Sequence, residues 1–110
     1  MVVTESLDNI VQEVPVERVD VIKMDVQGAE ELVLRGAQKV AASMKPVIIF
    51  EFYPEGAALL GLSPYGAWEL LERLGYDFFA VCSAGTISRM KSPPTHTKYA
   101  NVVAIHKKLN

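Results

Sequence analysis

The segment Val47-Ile48-Ile49-Phe50-Glu51-Phe52, entered from Pro46, limits the fold more than any other. A continuous apolar, β-branched run of this length reads as a strand covered on both faces, as in parallel sheets. A second run, Val19 to Val26, is largely apolar with a polar break at Lys23 and also reads as a strand. Gly28 follows it, and Ala29 to Ser43 reads as one helix joining the two strands. Its inward stripe is Ala29, Leu32, Val33, Gly36 and Val40, with Glu31 and Arg35 as an i,i+4 pair on the opposite face. Strand, helix and strand in this order predict an α/β unit.

The flanks extend the same grammar. Ser6 is placed to cap a short helix beginning at Leu7, which Pro15 ends. After a loop of Pro54, Gly56 and Gly61, Ser63 is expected to cap a helix with Pro64 at its first position. That helix turns Ala67, Leu70, Leu71 and Leu74 inward and stops at Gly75. Tyr76 to Val81 reads as a third strand, Gly85 to Ser88 as a hairpin return, Ser92-Pro93-Pro94 as a loop, and Asn101 to His106 as a last strand. Trp68 and the tyrosines read as core or rim aromatics. The 110 residues suffice for one small domain or for part of a larger one.

Composition removes several function classes. The 11 Lys and Arg are scattered and the formal net charge is −2, whereas nucleic-acid binding needs concentrated positive charge. Cys82 is the only cysteine, so no internal disulfide forms. No apolar run approaches the ~20 residues of a membrane span, and no leader-like segment is seen, so the expectation is a soluble, cytoplasmic protein.

In open α/β sheets, ligands collect beyond the carboxyl ends of the parallel strands. Asp25 and Glu51 stand at two such ends, each followed shortly by a glycine (Gly28, Gly56). A carboxylate there can take a proton from a hydroxyl, hydrogen-bond a ligand or hold a divalent cation. The plainer reading makes each a local cap or salt-bridge partner. Lys23 lies on the Asp25 side of the strand, and Gln27 and Glu30 flank the helix start, where an acid also suits the helix dipole. His96 and His106 have no partner at zinc-ligand spacing. No G-x-G-x-x-G or similar glycine-rich turn follows a strand, so no adenosine cradle is encoded in these residues.

Ser6-Leu7-Asp8, Val19-Asp20-Val21-Ile22-Lys23-Met24-Asp25-Val26-Gln27-Gly28-Ala29-Glu30, Val33-Leu34-Arg35-Gly36-Ala37 and Lys45-Pro46-Val47-Ile48-Ile49-Phe50-Glu51 together resemble the FkbM family of methyltransferases. The later Gly75-Tyr76 and the strand from Asn101 to His106 also fit, and Gln27 stands where glutamate is commoner. The resemblance implies a Rossmann-like class I methyltransferase fold, with S-adenosylmethionine as donor and a hydroxyl of a sugar, lipid or natural product as acceptor. It implies that this chain is the carboxy-terminal half. Strands four to seven of the family sheet and a terminal antiparallel hairpin would be present, with helices on the faces. The glycine-rich donor-binding half would lie ahead of residue 1, so the chain alone is not expected to bind the donor. Asp25 is then the first candidate at the reaction centre, with Glu51, Gln27, Glu30 and Lys23 behind it. The competing expectation is a non-catalytic α/β module that forms a homodimer, or pairs with a partner, through the open strand edge at Val19–Val26. A metal-dependent hydrolase using Asp25 and Glu51 ranks last.

Overall fold

The computed structural model describes residues 5–14, 16–82, 84–94 and 100–109. Pro15 and His96 lie outside the described residues. The chain runs α1 (Leu7–Glu13), β1 (Val21–Met24), α2 (Glu30–Arg35), α3 (Gln38–Met44), β2 (Val47–Phe52), α4 (Pro54–Leu59), α5 (Gly66–Arg73), β3 (Tyr76–Val81), β4 (Ile87–Met90) and β5 (Ala100–His106). One sheet has the order β1-β2-β5-β3-β4. β1 and β2 are parallel, and β5 is antiparallel to both β2 and β3. The hairpin return from β3 pairs as a fifth, antiparallel strand on the far edge. The result is a mixed α/β architecture.

One face of this sheet holds the core. Met24, Ile48, Phe50, Phe52, Tyr76, Phe78, Val102 and Ala104 are buried there with Leu34 of α2, Ala41 of α3 and Trp68, Leu70 and Leu71 of α5. Aromatic rings fix α5 to the sheet: Trp68 stacks on Phe78 with centroids 3.7 Å apart and meets Phe52 edge-on at 6.4 Å. The Tyr76 hydroxyl donates to the Pro46 carbonyl at 2.8 Å, tying β3 to the entry of β2. Burial pushes the Tyr76 phenol up to about 12.

The opposite face departs from the expectation of a doubly covered sheet. Val47, Ile49, Phe79, Val103 and Ile105 are only half-buried, and Val21, Val81 and Ile87 are exposed. No described position on that side is buried.

The helices differ from the periodicity in several ways. The segment from Ala29 to Ser43 is two helices, not one, broken at Gly36-Ala37. Within α2, Glu30, Glu31 and Leu34 are buried while Leu32 and Val33, assigned to the inward stripe, face solvent beside Leu7. Glu31 does pair with Arg35, yet on a buried side: its carboxylate lies against Gly66 at the start of α5, where a β-carbon would collide with it. Beyond β2, Pro54 opens the short helix α4 in a stretch read as loop. Helix α5 then starts at Gly66 rather than Pro64, and Ser63 instead accepts a hydrogen bond from Tyr65 N at 3.3 Å.

Strand β1 is shorter than the apolar run, Val21–Met24 rather than Val19–Val26, because only those four residues have partners on β2. Among the described residues no helix is long and apolar enough to cross a membrane.

Candidate functional site

The parallel pair sets the geometry. Its last matched residues are Met24 and Phe50, so Asp25 and Glu51 follow level with one another at the carboxyl ends of neighbouring strands. Asp25 is exposed and accepts a hydrogen bond from Gln27 Nε2 at 3.0 Å. Glu51 is half-buried, and its carboxylate has no hydrogen-bond or ion-pair partner among the described residues. Neither acid caps the following helix. Of the two carboxylates, that of Asp25 is held by an amide and that of Glu51 is open. Lys23, two residues back on β1, is exposed and makes no ion pair among the described residues.

The turn after β1 has a different role from its neighbours. Gln27 and Gly28 both take left-handed backbone angles, φ 52° and 101°. That turn aims the N–H groups of Val26 and Gly28 at the Glu30 carboxylate, at 3.3 and 3.0 Å. Glu30 is buried, so the chain's own acid satisfies two N–H groups of the turn just ahead of the helix. Glu30 is thus a bracket for the loop that carries Asp25 and Gln27. The helix-dipole reading of this acid is right in sign but omits the two hydrogen bonds.

Glycine is required at Gly28 on two counts. Besides its positive φ, a β-carbon there would come within 2.5 Å of Ala57 N in α4. Gly56 answers from the other side, since its β-carbon would sit 2.8 Å from the Gln27 carbonyl oxygen. The β1–α2 turn and the first turn of α4 therefore meet backbone to backbone. A crevice about the size of one water molecule lies beneath, lined by Gly28, Glu30, Glu31, Glu51, Ser63 and Pro64. Gly56 and Ser63 join the crevice without being site candidates from the sequence pattern. The one available signal was the glycine placed soon after each strand-end acid.

No group of three or more His, Cys, Asp or Glu side chains that could hold a metal ion occurs among the described residues. His106 packs edge-on against Tyr76, and its Nδ1 accepts from Lys108 N at 3.2 Å, a core role.

Asp8 shows how the Ser6-Leu7-Asp8 motif works. Ser6 Oγ accepts from Asn9 N and caps α1, while the Asp8 carboxylate accepts from Lys39 N and Val40 N at 3.1 and 3.0 Å and caps α3 from a distance. The motif is a splice between helices rather than part of the crevice.

No curated protein and no solved structure gives a match to this chain. Residues 1–78, however, match the model of the methyltransferase FkbM domain, the portion that carries the Asp8 splice, the Glu30 bracket and both strand-end acids. The chain belongs to the FkbM methyltransferase-domain family.

Proposed function

We propose that the chain forms the acceptor side of an S-adenosylmethionine-dependent O-methyltransferase domain, the carboxy-terminal part of that domain, acting on a hydroxyl of a sugar, lipid or natural product. In this reading the sheet order β1-β2-β5-β3 corresponds to strands four, five, seven and six of the class I methyltransferase sheet, and β4 is an added edge strand. The observation that carries it is the level pair Asp25 and Glu51 at the ends of adjacent parallel strands, within the family-matched segment.

The donor does not fit the residues described. The turn with left-handed backbone between a parallel strand and the following helix, among the described residues, is that of Gln27 and Gly28. The Val26 and Gly28 N–H groups there are already taken by Glu30, and the glycine face is filled by α4. A ligand that needed those N–H groups would have to displace a buried carboxylate. The donor site therefore belongs to a complementary part of the domain, and no step of transfer is assigned to this loop.

What these residues contribute is positioning and proton acceptance. Asp25, oriented by Gln27, takes the hydroxyl proton of the acceptor, while Glu51 and Lys23 line the approach. General-base help of this kind is worth roughly 10²–10⁴ in rate, the rest coming from alignment. Calorimetric titration with S-adenosylmethionine is expected to give no heat of binding with these 110 residues. Binding is expected once a donor-binding half is joined ahead of them. In the joined enzyme Asp25→Asn should lower turnover by roughly 10²-fold or more with donor affinity kept. Tight donor binding by the 110-residue chain would refute the division of labour.

A second reading rests on β1. It has no partner on its outer side among the described residues, and Val21 is 56% exposed there. An unpaired apolar edge pairs readily with another strand, so this chain forms a dimer through β1.

A further inference from the structure

The carboxyl end of β2 runs into a segment whose apolar side chains the fold does not use. Helix α4 buries Gly56 and Ala57, whereas Leu59 and Leu60 behind them are 85% and 54% exposed. Tyr65, at the start of α5, is 38% exposed. None of the three belongs to the buried core. Their setting is nonetheless fixed by hydrogen bonds. The Ala57 carbonyl accepts from Leu60 N at 3.0 Å and from Leu62 N at 2.9 Å, and the Ala58 carbonyl accepts from Gly61 N at 3.0 Å. The Tyr65 ring stacks on Phe52, the last residue of β2, with centroids 5.9 Å apart and planes at 23°. Its backbone N–H donates to Ser63 Oγ. The anchors of this rim, Phe52, Ala57 and Ser63, are also walls of the crevice. Gly56 in the same helix meets the Gln27-Gly28 turn that follows Asp25, backbone to backbone. The rim therefore stands at the end of the sheet where ligands collect in open α/β folds.

We propose that Leu59, Leu60 and Tyr65 bind the apolar body of the acceptor, so that the hydroxyl is carried by a neutral long-chain or alicyclic alcohol rather than by a free sugar. The inference rests on the acceptor-side reading above and narrows its acceptor class. Polarity selects against the sugar, because a ring of hydroxyl groups laid on two leucines would lose water without gaining hydrogen bonds. Charge selects against two other occupants. Asp25, Glu51 and Glu55 outnumber Lys23 at this end of the sheet, so an anionic lipid surface is repelled. In a twofold contact with a second copy, these acids would meet their own counterparts. A neutral apolar body meets neither penalty and covers leucine surface that otherwise stays in water.

The test titrates 1-decanol and, separately, methyl glucoside into the 110-residue chain. Saturable binding of decanol is expected, with NMR shifts at the Leu59 and Leu60 methyls and the Tyr65 ring and none at Ile49 or Val103. Methyl glucoside should shift none of them. The double variant Leu59→Ser, Leu60→Ser should bind decanol at least tenfold more weakly at an unchanged thermal midpoint, because both positions are exposed. If the double variant does not fold, Leu59→Gln alone should still weaken binding. The proposal is overturned if decanol fails to saturate, if its shifts centre on Ile49 and Val103, or if the variants bind it as the wild type does. It is equally overturned if the variants abolish a self-association of the chain or its flotation with phosphatidylglycerol vesicles, which would make a second copy or an anionic membrane the occupant. In the joined enzyme, methylation of methyl glucoside but not of decanol would sink this inference and leave the methyltransferase reading standing. Decanol bound at the rim while no alcohol is methylated would do the reverse.

Discussion

At the residue scale, side chains near the crevice divide by what they can reach. Glu30 and Glu31 are buried against N–H groups, an arginine and a glycine of α5, and serve the fold. Asp25 and Glu51 keep open oxygens at the strand ends. Both strand-end acids were legible from sequence, because position after an apolar run marks a strand end whatever the tertiary detail. The buried role of Glu31 was not legible. It depends on Gly66, thirty-five positions away, lacking a side chain, and spacing along one helix carries no sign of that. Tyr76 offers a residue-scale test of the core. Its phenol keeps its proton to about pH 12 in the folded chain against 10.0 for the free group, because burial disfavours the phenolate. A raised folded value means that this stabilisation is intact below about pH 10 and is lost as pH climbs from 10 towards 12. The total loss is about 2–3 kcal/mol. Urea denaturation across pH 8–12 should show a steeper alkaline fall for the wild type than for Tyr76→Phe. Parallel curves would mean that the hydroxyl does not titrate from a buried state.

At the element scale, strands were read better than helices. β2 and β3 have the bounds that their apolar runs predict, since a run of β-branched and aromatic residues has few other uses. The break between α2 and α3 was missed because its cause lies in α1. Gly36 gives its carbonyl to Asp8 N at 2.8 Å instead of continuing the helix, and Ser6 packs where a β-carbon of residue 36 would lie. The Asp8 carboxylate then supplies the cap for α3 that Ala37 cannot. The inverted burial of α2 has the same origin. Its position is fixed at both ends by the Glu30 bracket and the Gly36 splice, so its own apolar stripe does not choose the inward side. Asp8→Ala should therefore destabilise the chain by about 0.5–2 kcal/mol, the usual worth of a helix cap. Asp8→Asn, which keeps one acceptor oxygen, should cost less. The order of the two midpoints in urea checks the assignment. Equal midpoints for both variants and wild type would show that α3 holds without its remote cap.

At the scale of the whole molecule, the described helices of the core pack on one side of the sheet, and two kinds of open surface remain. One is the face of Ile49, Phe79 and Val103, opposite the core; the other is the β1 edge. They differ in what they offer, since the face presents side chains alone, whereas the edge also presents backbone groups. The composition already implied apolar surface in excess of a one-layer need, because β2 is apolar at five of its six positions. Which face would be left open was not legible, as it depends on where the helices land. Edge pairing has a signature of its own. Sedimentation velocity should show a concentration-dependent dimer that Val21→Lys dissolves, because a lysine on an edge strand opposes strand addition. Val21 is exposed, so that change should leave folding stability within about 0.5 kcal/mol. Val103→Asp, on the central strand β5 and remote from the edge, should leave the same dimer intact. A chain that sediments as a monomer at every concentration would remove the edge from consideration. A dimer lost with Val103→Asp but kept with Val21→Lys would move the contact from the edge to the face.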